Sequence, residues 1–282
     1  MFEILKAIVF GIIQGVTEWL PISSTGHMIV FNSVFPLDES LYGCGPAFVN
    51  LFLVLIQFGS MMAVLVLFFS KLNPFSKIKT AQQRTLSFNL WKKVIVGSIP
   101  AALVGFLCNK FIEQFFRGSL IVAFMLIVYG VFFILIENSN LNFRVFNLKE
   151  INYKMAFGIG LFQVLSFIPG TSRSGATILG ALILGCVREV GAEFSFFLSI
   201  PTIAGASFLK LVSYLKESAV GLAFNEIIVL FVGSLTAFIV SIFVISVFMK
   251  YIKTHNFKIF AKYRILLGVV VLILMSLSVI KN

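Results

Sequence analysis

Apolar and polar residues are distributed along this chain in long blocks. Six apolar runs predict full membrane spans over residues 48–69, 94–112, 120–136, 194–214, 227–249 and 265–280. A helix needs roughly 20 apolar residues to cross a bilayer, and it satisfies its own backbone groups there. A transmembrane barrel requires apolar and polar residues to alternate, and a run such as 51–69 does not alternate. The pattern therefore predicts an all-α polytopic membrane protein.

Two further apolar regions, 4–34 and 155–187, are interrupted in the middle by proline, glycine, serine and threonine. Irregular backbone at membrane depth is tolerated only where protein or a water-filled cavity surrounds it. We interpret each region as a re-entrant helical hairpin, which enters the membrane and returns to the same side.

Charge is sparse and unevenly placed. The chain is 59% hydrophobic and 12% charged, with a formal net charge of +11. Segments 70–93 and 250–264 carry only basic charges, whereas Asp38 and Glu39 have no base beside them. Basic loops mark the cytoplasmic side of a membrane protein. The positive charge thus indicates topology and gives no reason to expect nucleic acid as a partner.

Counting spans from these loops predicts two halves of opposite orientation, residues 1–137 and 155–282. Both termini then lie outside, the first hairpin enters from outside, and the second enters from the cytoplasm. An inverted repeat of this kind puts its site near the midplane. A faint internal similarity agrees, since Pro21 and Pro169 are each followed by hydroxyl residues and then by Gly26 or Gly175.

The first interruption combines a carboxylate with hydroxyls and an imidazole. Gln14 and Glu18 are four residues apart and share one helix face, and Pro21 ends or bends that helix. The residues that follow are Ser23, Ser24, Thr25 and His27. Glu18, with Gln14, is a candidate ligand for a divalent cation, and a hydroxyl or imidazole is a candidate nucleophile. The alternative is that the hydroxyls bond their own backbone and His27 only packs.

The second interruption resembles an anion cradle. Its glycine and hydroxyl residues are Gly170, Thr171, Ser172 and Ser174. Backbone N–H groups at a helix start and the fork of Arg173 are suited to phosphate oxygens, and Gln163 is a candidate for lining the same site. The alternative is that Arg173 pairs with a structural carboxylate such as Glu18. Ionisable residues inside a membrane are by default functional candidates.

Residues 14–27 and 169–177 resemble the bacterial undecaprenyl-diphosphatase family, also called undecaprenyl pyrophosphate phosphatase or bacitracin resistance protein. Residues 193–201 and 260–264 are similar to it as well, and the resemblance covers essentially the whole chain. It implies hydrolysis of undecaprenyl diphosphate to the monophosphate, which recycles the lipid carrier for peptidoglycan synthesis and confers bacitracin resistance.

From the chemistry of the two interruptions we predict a catalytic set of Glu18, Ser24, His27 and Arg173, and the resemblance implies a divalent cation, Mg²⁺ or Ca²⁺. It further implies a multi-pass protein of the bacterial cytoplasmic membrane, a site facing the extracytoplasmic side, and a homodimer. Many members have glutamate where this chain has Gln14, so we expect Glu18 to act as a single carboxylate. The rival hypothesis is a lipid-phosphate transporter or flippase, since inverted repeats with broken helices are common among transporters.

Overall fold

The computed structural model describes residues 2–35, 46–116, 118–139, 141–217 and 221–280. In these ranges the chain consists of helices joined by turns and loops, and an isolated bridge pairs Val145 with Cys186. The helices are α1 (Phe2–Thr17), α2 (Ser24–Val34), α3 (Pro46–Leu67), α4 (Phe69–Leu72), α5 (Ala81–Phe115), α6 (Ser119–Asn138), α7 (Tyr153–Val164), α8 (Arg173–Ile183), α9 (Arg188–Glu217), α10 (Phe224–Tyr251) and α11 (Lys258–Ser276). The segment with Asp38 and Glu39, expected outside, lies beyond the described residues.

Six of the described helices are long and apolar enough to cross a membrane, as the sequence predicts. They are α3, α5, α6, α9, α10 and α11. All six begin earlier than predicted, and α5 and α11 do so by the largest margins. Helix α5 starts at Ala81 rather than at 94, and α11 starts at Lys258 rather than at 265. The expectation of continuous loops over 70–93 and 250–264 is therefore wrong, because hydropathy marks only the apolar part of a helix.

Both interrupted regions are pairs of short helices. The first helix pair is α1 and α2, of 16 and 11 residues, and the second helix pair is α7 and α8, of 12 and 11 residues. None of the four reaches the length that a perpendicular crossing requires. We call residues 18–23 the first break and residues 168–172 the second break, and each is taken together with the first turn of the helix that follows it, residues 24–27 or 173–176.

Glycines allow the two helix pairs to pack closely on the long helices. Helix α1 lies on α10, where Gly11 faces the backbone of Gly233, and α7 lies on α5, where Gly160 faces the backbone of Gly97. A Cβ atom added to Gly160 would collide with the Gly97 carbonyl oxygen. Small residues at such crossings are typical of membrane helix packing. Helix α6 packs on α11, and α3 on both α9 and α10.

Candidate active site

An ion pair joins the two breaks. The Nη2 atom of Arg173, at the start of α8, lies 2.9 Å from the Oε1 atom of Glu18 in the first break. The Gln14 amide donates to the other carboxylate oxygen of Glu18 over 2.7 Å, as their four-residue spacing predicts. The side chains of Arg173 and Glu18 are only 12% and 8% exposed. The pairing that the sequence offered as an alternative role for Arg173 is thus the arrangement that the structure contains.

The guanidinium of Arg173 has two further supports. Its Nη1 atom donates to the carbonyl oxygen of Ser195 in α9 over 2.9 Å, and the guanidinium lies 5.6 Å from the ring centroid of Trp19. This is within the range of cation–π attraction. The Trp19 indole is fully buried and donates to Ser60 over 3.1 Å. Arg173 is therefore held in one orientation, with its Nε atom unpartnered among the described residues.

Hydroxyl groups of the second break tie the two breaks together. Ser174 donates to the carbonyl oxygens of Glu18 and Leu20 over 2.9 and 3.2 Å. Ser172 precedes α8 and accepts a hydrogen bond from the Gly175 backbone N–H over 3.2 Å. The N–H groups of the first turn have no acceptor within their own helix, so those of Arg173 and Ser174 remain suited to an anion.

Arg264 lies between the breaks and holds both. It is fully buried in α11. It donates to the carbonyl oxygen of Pro21 over 3.1 Å, and to those of Gly170 and Thr171 over 2.9 Å each. The prediction that Arg264 belongs to a basic loop over 250–264 is therefore wrong, because the residue lies in a helix and is buried. Its position directly after a lysine-rich segment hid the fact that its side chain turns inward.

His27 is linked to this cluster through α11. Its Nδ1 atom lies 2.8 Å from the carbonyl oxygen of Ser23, and its Nε2 atom lies 2.8 Å from the hydroxyl of Tyr263. A carbonyl oxygen can only accept, so Nδ1 carries a hydrogen and the neutral ring accepts from Tyr263 at Nε2. The two rings are also stacked, with centroids 5.5 Å apart. Both nitrogens of His27 are thus engaged.

The remaining predicted residues differ in environment. Ser24 and Thr25 occupy the first turn of α2, Ser24 half-buried and Thr25 exposed. Ser23 and Thr171 are buried, and their hydroxyls have no partner among the described residues. Gln163 is buried in α7, and neither polar atom of its amide has a hydrogen-bond partner among the described residues, so no described hydrogen bond joins its side chain to the two breaks.

A second feature of the second break is the backbone of Gly170. Its φ angle is +93°, and an added Cβ atom would lie 2.5 Å from the carbonyl oxygen of Val122. Any other residue would be strained there and would collide with α6. Glycine at this position therefore allows the second break to approach α6 closely.

The described residues include no cluster of three acidic, histidine or cysteine side chains able to form a metal cage. Within the described part of the chain, Glu18 is the one carboxylate that pairs with Arg173. Magnesium is often held by one or two carboxylates together with substrate phosphates. The residues present therefore fit a cation that binds with a diphosphate, and they do not fit a preformed all-protein site.

Four residues that support the candidate active site were not predicted from the sequence: Trp19, Ser195, Tyr263 and Arg264. Ser195 acts through its carbonyl oxygen, which leaves no signal in a side-chain pattern, although residues 193–201 were noted as family-like. Tyr263 and Arg264 also lie in a family-like segment. The available signal was that Arg264 is the last basic residue before an apolar run.

Comparison with known proteins identifies the family of this chain. The family described as "Bacitracin resistance protein BacA" matches residues 7–270. A Clostridioides difficile protein named undecaprenyl-diphosphatase 1 is 50% identical over 272 residues, which is 96% of each chain. Undecaprenyl-diphosphatases of Streptococcus thermophilus and Lacticaseibacillus paracasei are each 48% identical. They cover 96% and 98% of this chain, and 93% and 99% of their own length. The chain therefore belongs to the bacitracin resistance protein BacA family.

Proposed function

We propose that this protein is a membrane phosphatase that hydrolyses undecaprenyl diphosphate to undecaprenyl phosphate and inorganic phosphate. This reaction recycles the lipid carrier for peptidoglycan synthesis and confers bacitracin resistance. The names of the relatives support the substrate. The observation that carries the chemistry is the Glu18–Arg173 pair, which brings an anion-binding side chain to the carboxylate of the other break.

In the proposed resting state, Glu18 occupies Arg173 until the substrate arrives. A diphosphate carries more charge than a carboxylate, so its terminal phosphate competes for the guanidinium fork. Ser195 and Trp19 keep Arg173 in place during this exchange. The first-turn N–H groups of α8 add donors to the same anion. Such preorganised donors supply the main stabilisation in phosphoryl transfer.

Three groups are candidates for attack on the terminal phosphorus: Ser24, His27 and a water molecule. The geometry favours Ser24 or water. His27 would first have to break its bond with Tyr263 to free the Nε2 lone pair. Ser24 lies half-buried on the first turn of α2, one residue after the backbone that His27 holds. We assign His27 to positioning this turn. Rapid quenching with labelled substrate distinguishes an acid-stable phosphoserine from an acid-labile phosphohistidine.

A divalent cation, Mg²⁺ or Ca²⁺, is part of this proposal. Glu18 and the amide oxygen of Gln14 would hold it against the diphosphate, where it would neutralise charge on the phosphate oxygens. Hard cations take oxygen ligands of this kind. A glutamine cannot act as a base, so Glu18 is the carboxylate that remains for proton or cation chemistry.

The proposed topology is an inverted repeat with two re-entrant hairpins. Helix α1 packs on α10, and the corresponding α7 packs on α5, both through glycines. The corresponding pairs α3 with α9 and α6 with α11 contact each other, as expected on a two-fold axis. The protein would span the bacterial cytoplasmic membrane, with a site open to the extracytoplasmic side. A homodimer is proposed from the resemblance alone.

A lipid-phosphate transporter or flippase is the second candidate, because a repeat of this kind also suits alternating access. A carrier needs an anion site such as Arg173 but does not need a candidate nucleophile beside it. A combined role, in which the enzyme also moves its product, uses the same residues.

The deciding experiment is phosphate release by purified protein in detergent, with a soluble isoprenyl diphosphate and Mg²⁺. Detergent abolishes compartments, so a pure carrier releases no phosphate. Arg173→Lys tests the site, and Arg188→Lys is the matched control, since Arg188 pairs with Glu137 elsewhere. Release by the wild type and the control but not by Arg173→Lys supports the phosphatase. Absence of release from the wild type contradicts it.

A further inference from the structure

A cavity lined by lysines lies away from the two breaks. It has a volume of about 990 Å³ and is formed by the start of α5, the start of α9 and residues 146–149. Four lysines line it: Lys71, Lys79, Lys93 and Lys149. We call it the basic pocket. Its volume lies within the range of small-ligand sites, and nothing in the proposed hydrolysis uses it.

The two acidic residues of the basic pocket are already paired. Glu193 is 5% exposed, and its carboxylate accepts from Lys71 over 2.5 Å. Glu189 lies 3.3 Å from the ammonium group of Lys253. The acids therefore do not cancel the charge of the other pocket lysines, and the pocket retains a positive balance.

Lys79 and Lys93 are held in place by neutral acceptors. Lys79 donates to the Asn73 carbonyl oxygen and the Ser87 hydroxyl, both over 2.7 Å. Lys93 donates to the carbonyl oxygens of Lys149 and Leu148 over 3.0 and 3.3 Å. Both residues are half-buried. An ammonium group has three N–H donors, so each retains one for a ligand, and its charge meets no carboxylate among the described residues.

The rim of the basic pocket is apolar and open. Ile78 and Phe146 line it and are 96% and 64% exposed, and the nearby Phe75 is 78% exposed. Large apolar side chains at this exposure, beside lysines and at the ends of membrane-crossing helices, suit the boundary between headgroups and acyl chains. A ligand that fits both features has an anionic head and an apolar tail.

We infer that the basic pocket binds the phosphate headgroup of an anionic membrane lipid, with Lys79 and Lys93 as its ligands. Lysines bind phosphate as point charges. Basic pockets between membrane helices on the cytoplasmic side are typical sites for anionic headgroups, and this pocket lies at the end of the bundle that carries the basic segments 70–93 and 250–264.

The basic pocket is separate from the candidate active site. The side chain of Glu193 lines the pocket, whereas the side chain of Ser195, two residues further along α9, bonds Thr177 of α8, and the Ser195 carbonyl accepts from Arg173. Residues two apart on an α-helix point about 200° apart around its axis. Helix α9 therefore forms a wall between the two sites, so a lipid bound in the pocket does not occupy the diphosphate position.

Native mass spectrometry of the purified protein in neutral detergent tests the inference. Phosphatidylglycerol and phosphatidylcholine are titrated separately, and the dissociation constant of the first bound lipid is measured. We expect wild-type protein to bind phosphatidylglycerol more tightly. The double variant Lys79→Gln with Lys93→Gln is expected to lose about tenfold or more of that affinity, since each substitution removes a charge-assisted hydrogen bond to the phosphate.

The matched control is Lys250→Gln with Lys262→Gln, which removes two exposed charges from the same end of the bundle. Its affinity should stay within twofold of wild type. An equal loss in both double variants would overturn the site and leave only a general charge effect. Displacement of the lipid by millimolar inorganic phosphate would overturn the assignment to a lipid.

Two further measurements protect the test against misfolding. Hydrolysis of a soluble isoprenyl diphosphate should be unchanged in the pocket variants, since the basic pocket lies behind α9. The single variant Lys149→Gln changes an exposed side chain and should lower phosphatidylglycerol affinity severalfold without altering thermal stability. Unchanged affinity in both Lys149→Gln and the double variant would contradict the inference.

Discussion

The first and second breaks have the same backbone design and different side chains. Each ends at a serine with a φ angle of 71°, Ser23 or Ser172, and each is followed by a helix of 11 residues. Aligned at Gly26 and Gly175, Ser24 corresponds to Arg173, and His27 corresponds to Ala176. The shared geometry brings two helix starts together, while the substituted positions give each break its own chemistry.

The difference indicates a division of roles. The first break carries the carboxylate of Glu18 and the candidate nucleophile Ser24, and the second carries the cation Arg173. Neither break alone has both the carboxylate and the cation. The side chain of Arg264 bonds the backbone of each break. A site divided in this way depends on the relative position of the breaks as much as on their residues.

Removing the cation of the second break should have the largest effect. Arg173→Lys keeps a charge but loses the fork to Glu18 and Ser195 and the contact with Trp19. We expect kcat/KM for phosphate release to fall about 10²–10³-fold, the usual loss for one transition-state donor. The thermal midpoint should change little. Activity near wild type would contradict the role of Arg173 as phosphate ligand.

Removing the link between the breaks should affect stability as well as activity. Arg264→Gln loses hydrogen bonds to three carbonyl oxygens in a fully buried position, and each bond to a charged group contributes about 1.5–3 kcal/mol. We expect a clear fall in the thermal midpoint together with at least tenfold slower phosphate release. Lower activity at an unchanged midpoint would instead indicate that Arg264 contacts the substrate.

Changing the support of His27 should have a smaller effect confined to the first break. Tyr263→Phe keeps the stacked ring and removes the hydroxyl that bonds Nε2. A neutral hydrogen bond contributes about 0.5–1.5 kcal/mol, so we expect kcat to fall severalfold with KM nearly constant. A rise in kcat would show that Tyr263 restrains a nucleophilic His27, and would favour a phosphohistidine.

The backbone of the two breaks can be compared by thermal denaturation. Replacing either serine with glycine relieves the backbone strain of its positive φ angle, and such strain costs about 1–3 kcal/mol. Ser172→Gly also loses the cap to Gly175, whereas Ser23 makes no capping bond. We expect Ser23→Gly to raise the thermal midpoint more than Ser172→Gly does. The reverse order would mean that the unpartnered hydroxyl of Ser23 stabilises the fold.

The sequence is sufficient to predict the parts of this fold that depend on hydropathy. Long apolar runs predict the spans, and proline with glycine and hydroxyl residues predicts the breaks. Glu18 and Arg173 were predictable because a charge inside an apolar segment is costly and needs a partner. The early start of α5 was not predictable in this way, because its first residues are polar although they are helical, and hydropathy detects only apolar residues.

The parts of the fold and the site that depend on tertiary contacts were harder to predict from the sequence. Arg264 looks like a loop cation in the chain, and only its three carbonyl partners from distant segments reveal its role. Ser195 contributes a carbonyl oxygen, which every residue has. The orientation of His27 toward Tyr263 joins residues far apart in the chain, and no spacing encodes it.

The central claim is that the two breaks form one catalytic unit, and a double-mutant cycle on phosphate release tests it most directly. Glu18→Gln, Arg173→Lys and the double variant are compared with wild type, using undecaprenyl diphosphate and Mg²⁺. Residues that act as a unit are strongly non-additive, so the double variant should be about as slow as the slower single variant. Losses that multiply would contradict the claim and indicate two independent sites.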